Sequence, residues 1–162
     1  MIWTKKIRAF KELLAESLEG RLKIHTAGYR RDSYRHGRTW IEFDQGTLVS
    51  FTDYRLREDV ERQQSRQKTV EAGAPWPEPG PRDVYSKDDF GRALGWYLNA
   101  DFDEARESEN AIVRALSYLD RRLGKRRLQR FRDGEEEERG LPRIFLETRL
   151  RAEGMWREEM NS

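Results

Sequence analysis

Between Arg55 and Pro81 the chain offers almost nothing to a hydrophobic core. Residues 55–70 are nearly all polar, with Leu56, Val60 and Val70 as isolated exceptions. Residues 72–81 then hold four of the five prolines, Pro75, Pro77, Pro79 and Pro81. Proline fixes φ and donates no backbone hydrogen bond, so this stretch reads as a polar connection followed by an extended, proline-rich linker. Trp76 is bulky enough to clip that linker onto a folded body; a ligand for an aromatic groove is the sharper alternative. Any core must therefore come from the portions on either side, 1–53 and 85–162. The first is too short to be secure alone, because small units bury too little surface. The expectation is one α+β domain over 1–162: an α-β-β-β unit (1–53), the polar and proline-rich connection (54–84) and a helical part (85–162).

In the first portion, Trp3, Ile7, Phe10, Leu14 and Leu18 recur at helical spacing, and Gly20 is the natural stop. Three alternating stretches follow. Residues 21–29 place Leu22, Ile24 and Thr26 against Lys23, His25 and Ala27. Residues 38–44 place Ile41 and Phe43 against Trp40 and Glu42, and residues 47–52 place Val49 and Phe51 against Leu48 and Ser50. Asp44-Gln45-Gly46 predicts a hairpin turn with glycine at the positive-φ position, and residues 30–37 a loop between the first two strands. The resulting fold class is an N-terminal helix on a small three-stranded antiparallel sheet, then the linker, then C-terminal helices. In that last part Ser86 and Asp89 form a capping box ahead of Phe90, Ala93, Leu94, Tyr97 and Leu98. One long helix is expected over 103–123, and a short one over 125–132 with Leu128 and Phe131 inward. A last helix follows Pro142, with Ile144, Phe145, Thr148 and Ala152 inward.

Composition narrows the functional classes. The chain has no cysteine, which removes disulfides, a thiol nucleophile and a Cys-based zinc site, and its two histidines argue against any zinc centre. There is no long apolar run and no signal-peptide pattern, so a cytoplasmic protein without a membrane span is expected. No phosphate-loop, dinucleotide, nucleophile-elbow or zinc-protease motif is present. No cofactor or metal is expected, and the reading leans away from an enzyme. Charged residues are 38% of the chain, yet 32 basic side chains face 30 acidic ones. The charges are segregated: residues 121–132 hold seven basic and no acidic residues, 133–138 hold five acids, and 101–109 hold five acids and Arg106.

Two basic clusters are candidate binding surfaces. Arg30, Arg31, Tyr34, Arg35, His36 and Arg38 fall within nine residues; arginine grips carboxylates and phosphates bidentately, and tyrosine can stack on a base. The bland alternative is a solvated hairpin loop. Arg122, Lys125, Arg126 and Arg130 form a secondary basic patch; on a continuous helix Arg122, Arg126 and Arg130 would share a face, a geometry that can track phosphates. Internal pairing with 101–109 or 135–138 is the favoured reading there. His25 and His36 together would suit metal-free RNA cleavage, because imidazole titrates near neutrality, although two ordinary surface or half-buried histidines are the favoured reading. The α-β-β-β order resembles the start of a double-stranded-RNA-binding domain, but the basic helix that should follow the third strand is missing.

Three further stretches carry a resemblance: Glu16-Ser17-Leu18-Glu19-Gly20-Arg21, Gly37-Arg38-Thr39-Trp40-Ile41 with the Asp44-Gln45-Gly46 turn, and Leu119-Asp120-Arg121-Arg122-Leu123-Gly124-Lys125-Arg126. They are similar to small uncharacterised bacterial proteins sometimes encoded beside polymorphic-toxin genes. That resemblance transfers no active site. It implies an immunity-like or other interaction role, which agrees with a non-enzymatic module that binds another protein through the 30–38 cluster. RNA or DNA binding through either basic cluster is the alternative, with a metal-free ribonuclease behind it.

Overall fold

A computed structural model describes residues 2–31, 34–52 and 85–156, with side chains for all of these except 28–31, 34–36 and 52. The elements are α1 (Trp3–Leu13), a short 3-10 turn (Glu16–Leu18), β1 (Leu22–Arg31), β2 (Tyr34–Phe43) and β3 (Gly46–Thr52). The helices α2 (Lys87–Asn99), α3 (Phe102–Arg106), α4 (Ala111–Leu119), α5 (Lys125–Arg132) and α6 (Gly140–Ala152) follow. The architecture is α+β: an N-terminal helix, a three-stranded antiparallel sheet in the order β1-β2-β3, and C-terminal helices. The proline-rich stretch and Trp76 lie outside the described residues. No described helix is long and apolar enough to cross a membrane.

The sheet follows the alternation in the sequence. Leu22, Ile24 and Thr26 pair with Phe43, Ile41 and Thr39 on one parity, and Ile41, Thr39 and Phe51 are almost wholly buried there. The β2–β3 turn differs from expectation in one detail. Asp44 and Gln45 take positive φ, 50° and 72°, and Gly46 is already the first residue of β3. The connection is thus a two-residue turn, whose twist matches the strands when both central residues are left-handed. Arg21 holds Asp44 with two bonds, Nε to Oδ1 at 2.9 Å and Nη2 to Oδ2 at 2.7 Å.

Helix α2 joins the sheet to the rest of the core. Its capping box is complete: the Asp89 amide donates to Ser86 Oγ, and the Ser86 amide donates to Asp89 Oδ2. Phe90 stacks on Phe51 of β3 at 4.6 Å and meets Trp3 of α1 at 5.9 Å, and Tyr97 meets Phe10 edge-on at 5.9 Å. One cluster of buried side chains runs from Phe10 and Leu18 through Ile41 and Phe51 to Leu116, Phe145 and Leu150. Each fully buried large side chain contributes about 1.5–3 kcal/mol.

Two helix boundaries and one inward face depart from the sequence reading. Helix α1 stops at Leu13 rather than Leu18, because Leu14 leaves the helix and bridges Asp120. The Ala15 amide donates to the Leu119 carbonyl at 2.8 Å, and the Arg121 amide to the Leu13 carbonyl at 2.7 Å. Leu18 stays buried, on the 3-10 turn that Gly20 (φ 76°) then leaves. The helix expected over 103–123 is two helices. Asn110 caps α4, its Oδ1 accepting from the Ile112 and Val113 amides, and the same bridge ends α4 before Asp120. In α6, Phe145 and Thr148 point inward as expected and Ala152 is half-buried, but Ile144 is 37% exposed. The inward positions also include Leu141, Leu146, Arg149 and Leu150.

Candidate functional site

The sheet face opposite the core carries the first candidate site. The β1–β2 register sets Lys23 opposite Glu42, His25 opposite Trp40 and Ala27 opposite Arg38. The His25 ring stacks on Trp40 at 5.1 Å and 21°, and the Arg38 guanidinium lies 4.8 Å from the same indole. Trp40 Nε1 donates to Glu42 Oε1 at 3.3 Å, His25 Nε2 sits 3.2 Å from Glu42 Oε2, and Arg38 Nη2 donates to Ser50 Oγ at 2.9 Å. The Trp40 indole N–H, aided by His25 and Lys23 against partial desolvation, holds the Glu42 carboxyl below its ordinary range. Five side chains from three strands, His25, Arg38, Trp40, Glu42 and Ser50, therefore engage one another before any partner arrives.

The arginine cluster lies on strands where a loop was expected. β1 continues through Arg31 and β2 begins at Tyr34, with Tyr29 paired to His36, Arg30 to Arg35 and Arg31 to Tyr34. The ladder runs through the Gly28–Gly37 pair, so these glycines do not end the strands. The side chains of Arg30, Arg31, Tyr34, Arg35 and His36 lie outside the described residues; Arg38 is the described member. His25 and His36 stand four register steps apart along the ladder, roughly 13 Å at about 3.3 Å per residue.

The secondary patch is broken up by its own neighbours. Gly124 caps α5, so Arg122 precedes the helix and shares no helical face with Arg126 and Arg130. Arg122 instead grips Asp120, with Nε to Oδ1 at 3.0 Å and Nη2 to Oδ2 at 2.7 Å, and lies over the Phe102 ring. Arg127 pairs with Glu136, and Arg130 with Glu135 and Glu136. Glu138 accepts from Arg114 Nε at 2.9 Å and from the Tyr118 hydroxyl at 2.7 Å. The 135–138 acids thus fold back onto the basic run, as expected. Among the described residues, none of the ion pairs of 121–132 goes to 101–109. Arg126 is exposed, and neither it nor Lys125 has an ion-pair partner among the described residues.

A second candidate lies at the Leu14–Asp120 bridge, where a cleft of about 800 Å³ opens between the 3-10 turn, the start of α5 and the end of α6. Its floor is Arg149, 4% exposed. Arg149 Nη1 donates to the Tyr118 and Asp120 carbonyls at 3.1 and 2.8 Å, Nη2 to the Leu123 carbonyl at 3.0 Å, and Nε to Glu153 Oε1 at 2.9 Å. Ser17 Oγ donates to the same Glu153 oxygen at 2.7 Å. Burial pushes the Glu153 carboxyl up, but Ser17, Arg149 and Lys125 together bring it below its ordinary value. Behind the bridge, the buried Asp120 accepts from the Tyr97 hydroxyl. Burial, then Asp120, pushes the Tyr97 hydroxyl far up, so it stays a neutral donor.

The sequence reading placed Asp120 and Ser17 only within stretches of resemblance, and missed Arg149 and Glu153 as site residues. A signal existed: Arg149 falls at i+4 from Phe145 and beside Leu150, a charge inside an apolar stripe. Among the described residues no group of three or more His, Asp or Glu side chains is arranged to hold a metal ion. No curated protein and no solved structure matches the chain. The family model that does match covers residues 2–150, nearly the whole length, and on that match the chain belongs to the SF0329 protein family.

Proposed function

We propose that this protein is a non-enzymatic binding module that docks a partner protein on the outer face of its sheet. Arg38 and Trp40 stand at the centre of that surface, and the hairpin end extends it, with Arg31, Tyr34 and His36 on the same register parity and Arg30 and Arg35 on the opposite one. The concrete version is an immunity- or antitoxin-like inhibitor that occludes an acidic surface of a bacterial partner. The two flanking portions, sharing one apolar cluster, are read as a single domain that presents this face.

The observation that carries the reading is the Arg38–Trp40–His25–Glu42 arrangement. Arginine and tryptophan dominate energetic hot spots, and side chains already held in one geometry lose less entropy on binding. The same arrangement weighs against nucleic acid, because His25 and Arg38 already engage the indole that a base would stack on. The α5 basic run, its alternative phosphate track, is partly neutralised by Glu135 and Glu136, which pair with Arg127 and Arg130. The two histidines, some four register steps apart, are poorly placed to serve one scissile phosphate.

The test is a pull-down from host lysate with the wild-type protein and with the double variant Arg38→Ala/Trp40→Ala, each with and without ribonuclease. The reading expects a protein captured by the wild type, resistant to ribonuclease, and lost with the double variant. Capture that survives the double variant, or that ribonuclease abolishes, would contradict it.

A further inference from the structure

The cleft beside the Leu14–Asp120 bridge is separate from the sheet face and plays no part in the reading above. Three carboxylates (Glu16, Glu19, Glu153) and three cations (Arg121, Lys125, Arg149) line it, so its formal charge is zero while its walls are strongly polar. Most of that polarity is already spent internally. Arg121 reaches Glu19 at 3.4 Å, and Arg149 gives four bonds to three carbonyls and Glu153. Groups of both signs keep capacity, one cation and two carboxylates. Lys125 has no ion-pair partner among the described residues, and it opens α5, whose first amides receive no side-chain cap. Glu153, paired with Arg149, takes both Ser17 and Arg149 on Oε1, leaving Oε2 with no hydrogen bond among the described residues, and the Glu16 carboxylate has no ion-pair partner among them.

A net-neutral cleft with a spare cation at Lys125 and free carboxylate oxygens on Glu16 and Glu153 discriminates by charge separation. A multiply charged anion gains at Lys125 but meets three carboxylates, and a simple cation meets the reverse. A ligand carrying one charge of each sign can answer both signs at once. The cleft volume also falls within the range of about 300–1,000 Å³ common to small-molecule pockets. We infer that this cleft binds a small zwitterion of the amino-acid or dipeptide class, its carboxylate at Lys125 and its ammonium at the free oxygens of Glu16 and Glu153.

An amide NMR titration of the full chain tests this directly. The probe is glycylglycine, which has both charges and no side chain. N-Acetylglycine keeps only the carboxylate and glycinamide only the ammonium. The expected result is saturable shifts at Ser17, Gly124 and Lys125 with glycylglycine. Both controls should bind at least about tenfold more weakly, and Lys125→Gln should bind glycylglycine at least about tenfold more weakly with its remaining amide spectrum unchanged. Lys125 is exposed, so this substitution spares the core. No saturable shift, a control that binds as well as glycylglycine, or undiminished binding by Lys125→Gln would each overturn the proposal.

Discussion

Replacing Arg149 with methionine isolates the energetic centre of the helical half. Methionine keeps an unbranched stem and good helix propensity, so the loss is confined to the guanidinium. That group holds the Tyr118, Asp120 and Leu123 carbonyls at 2.8–3.1 Å, pinning the segment that ends α4, forms the bridge to Leu14 and leads into α5. A hydrogen bond to a charged group contributes about 1.5–3 kcal/mol, and removing one partner strands the others without water. Glu153 retains Ser17, and its side chain is 13% exposed, so it recovers part of its share. The net expectation is a loss of about 3–5 kcal/mol, the range for breaking a buried ion pair. With a urea slope of about 2 kcal/mol per molar, the midpoint should fall by roughly 2 M. Arg143→Met, on the same helix but 44% exposed and forming a surface ion pair with Glu147, should lose no more than about 1 kcal/mol. Urea denaturation of both variants is the assay. If Arg149→Met loses less than about 1 kcal/mol, the guanidinium is not what holds the 118–124 segment.

Three other substitutions bear on particular features. Gln45→Gly should stabilise by about 0.5 kcal/mol in thermal denaturation, because glycine takes the 72° φ of that turn position without a Cβ penalty. Ser86→Ala removes the acceptor for the Asp89 amide and should cost about 1 kcal/mol by urea denaturation. Glu153→Gln should show a pH-dependent deficit. The folded carboxyl lies below its ordinary 4.5, so its stabilisation is complete above that value and is lost as pH falls through the lower folded value. The gap between wild type and variant should be fully present at neutral pH and narrow as pH is lowered below 4.5.

Local patterns carried much of the fold. The alternation of Leu22, Ile24, Ile41, Val49 and Phe51 fixes strand number and inner face, and Ser86 with Asp89 marks the start of α2. The hairpin turn was locatable, yet its left-handed residues proved to be Asp44 and Gln45, since glycine is the favoured but not the obligatory choice. Helix ends were less readable where distant residues decide them. Leu14 fits the apolar stripe of α1, and only its pairing with Asp120, remote in sequence, stops the helix. Arg38 was recognisable as a surface arginine, but its bond to Ser50 depends on β2–β3 register. Arg149 and Glu153 were hidden because a charged side chain on a helix ordinarily faces water. The internal partners that keep these two buried belong to the Ser17 turn and the α4–α5 segment, which no spacing within α6 announces.

Site-specific photo-crosslinking tests the binding account most directly. A photoreactive side chain at Ser50, beside Arg38 on the outer sheet face, is compared with one at Arg143 on α6, using the full chain in host cells. The account predicts a discrete protein adduct from position 50 that is absent from position 143 and is lost when Trp40→Ala is added. An adduct of equal yield from position 143, or one from position 50 that persists without Trp40, would contradict the claim that the sheet face is the docking surface.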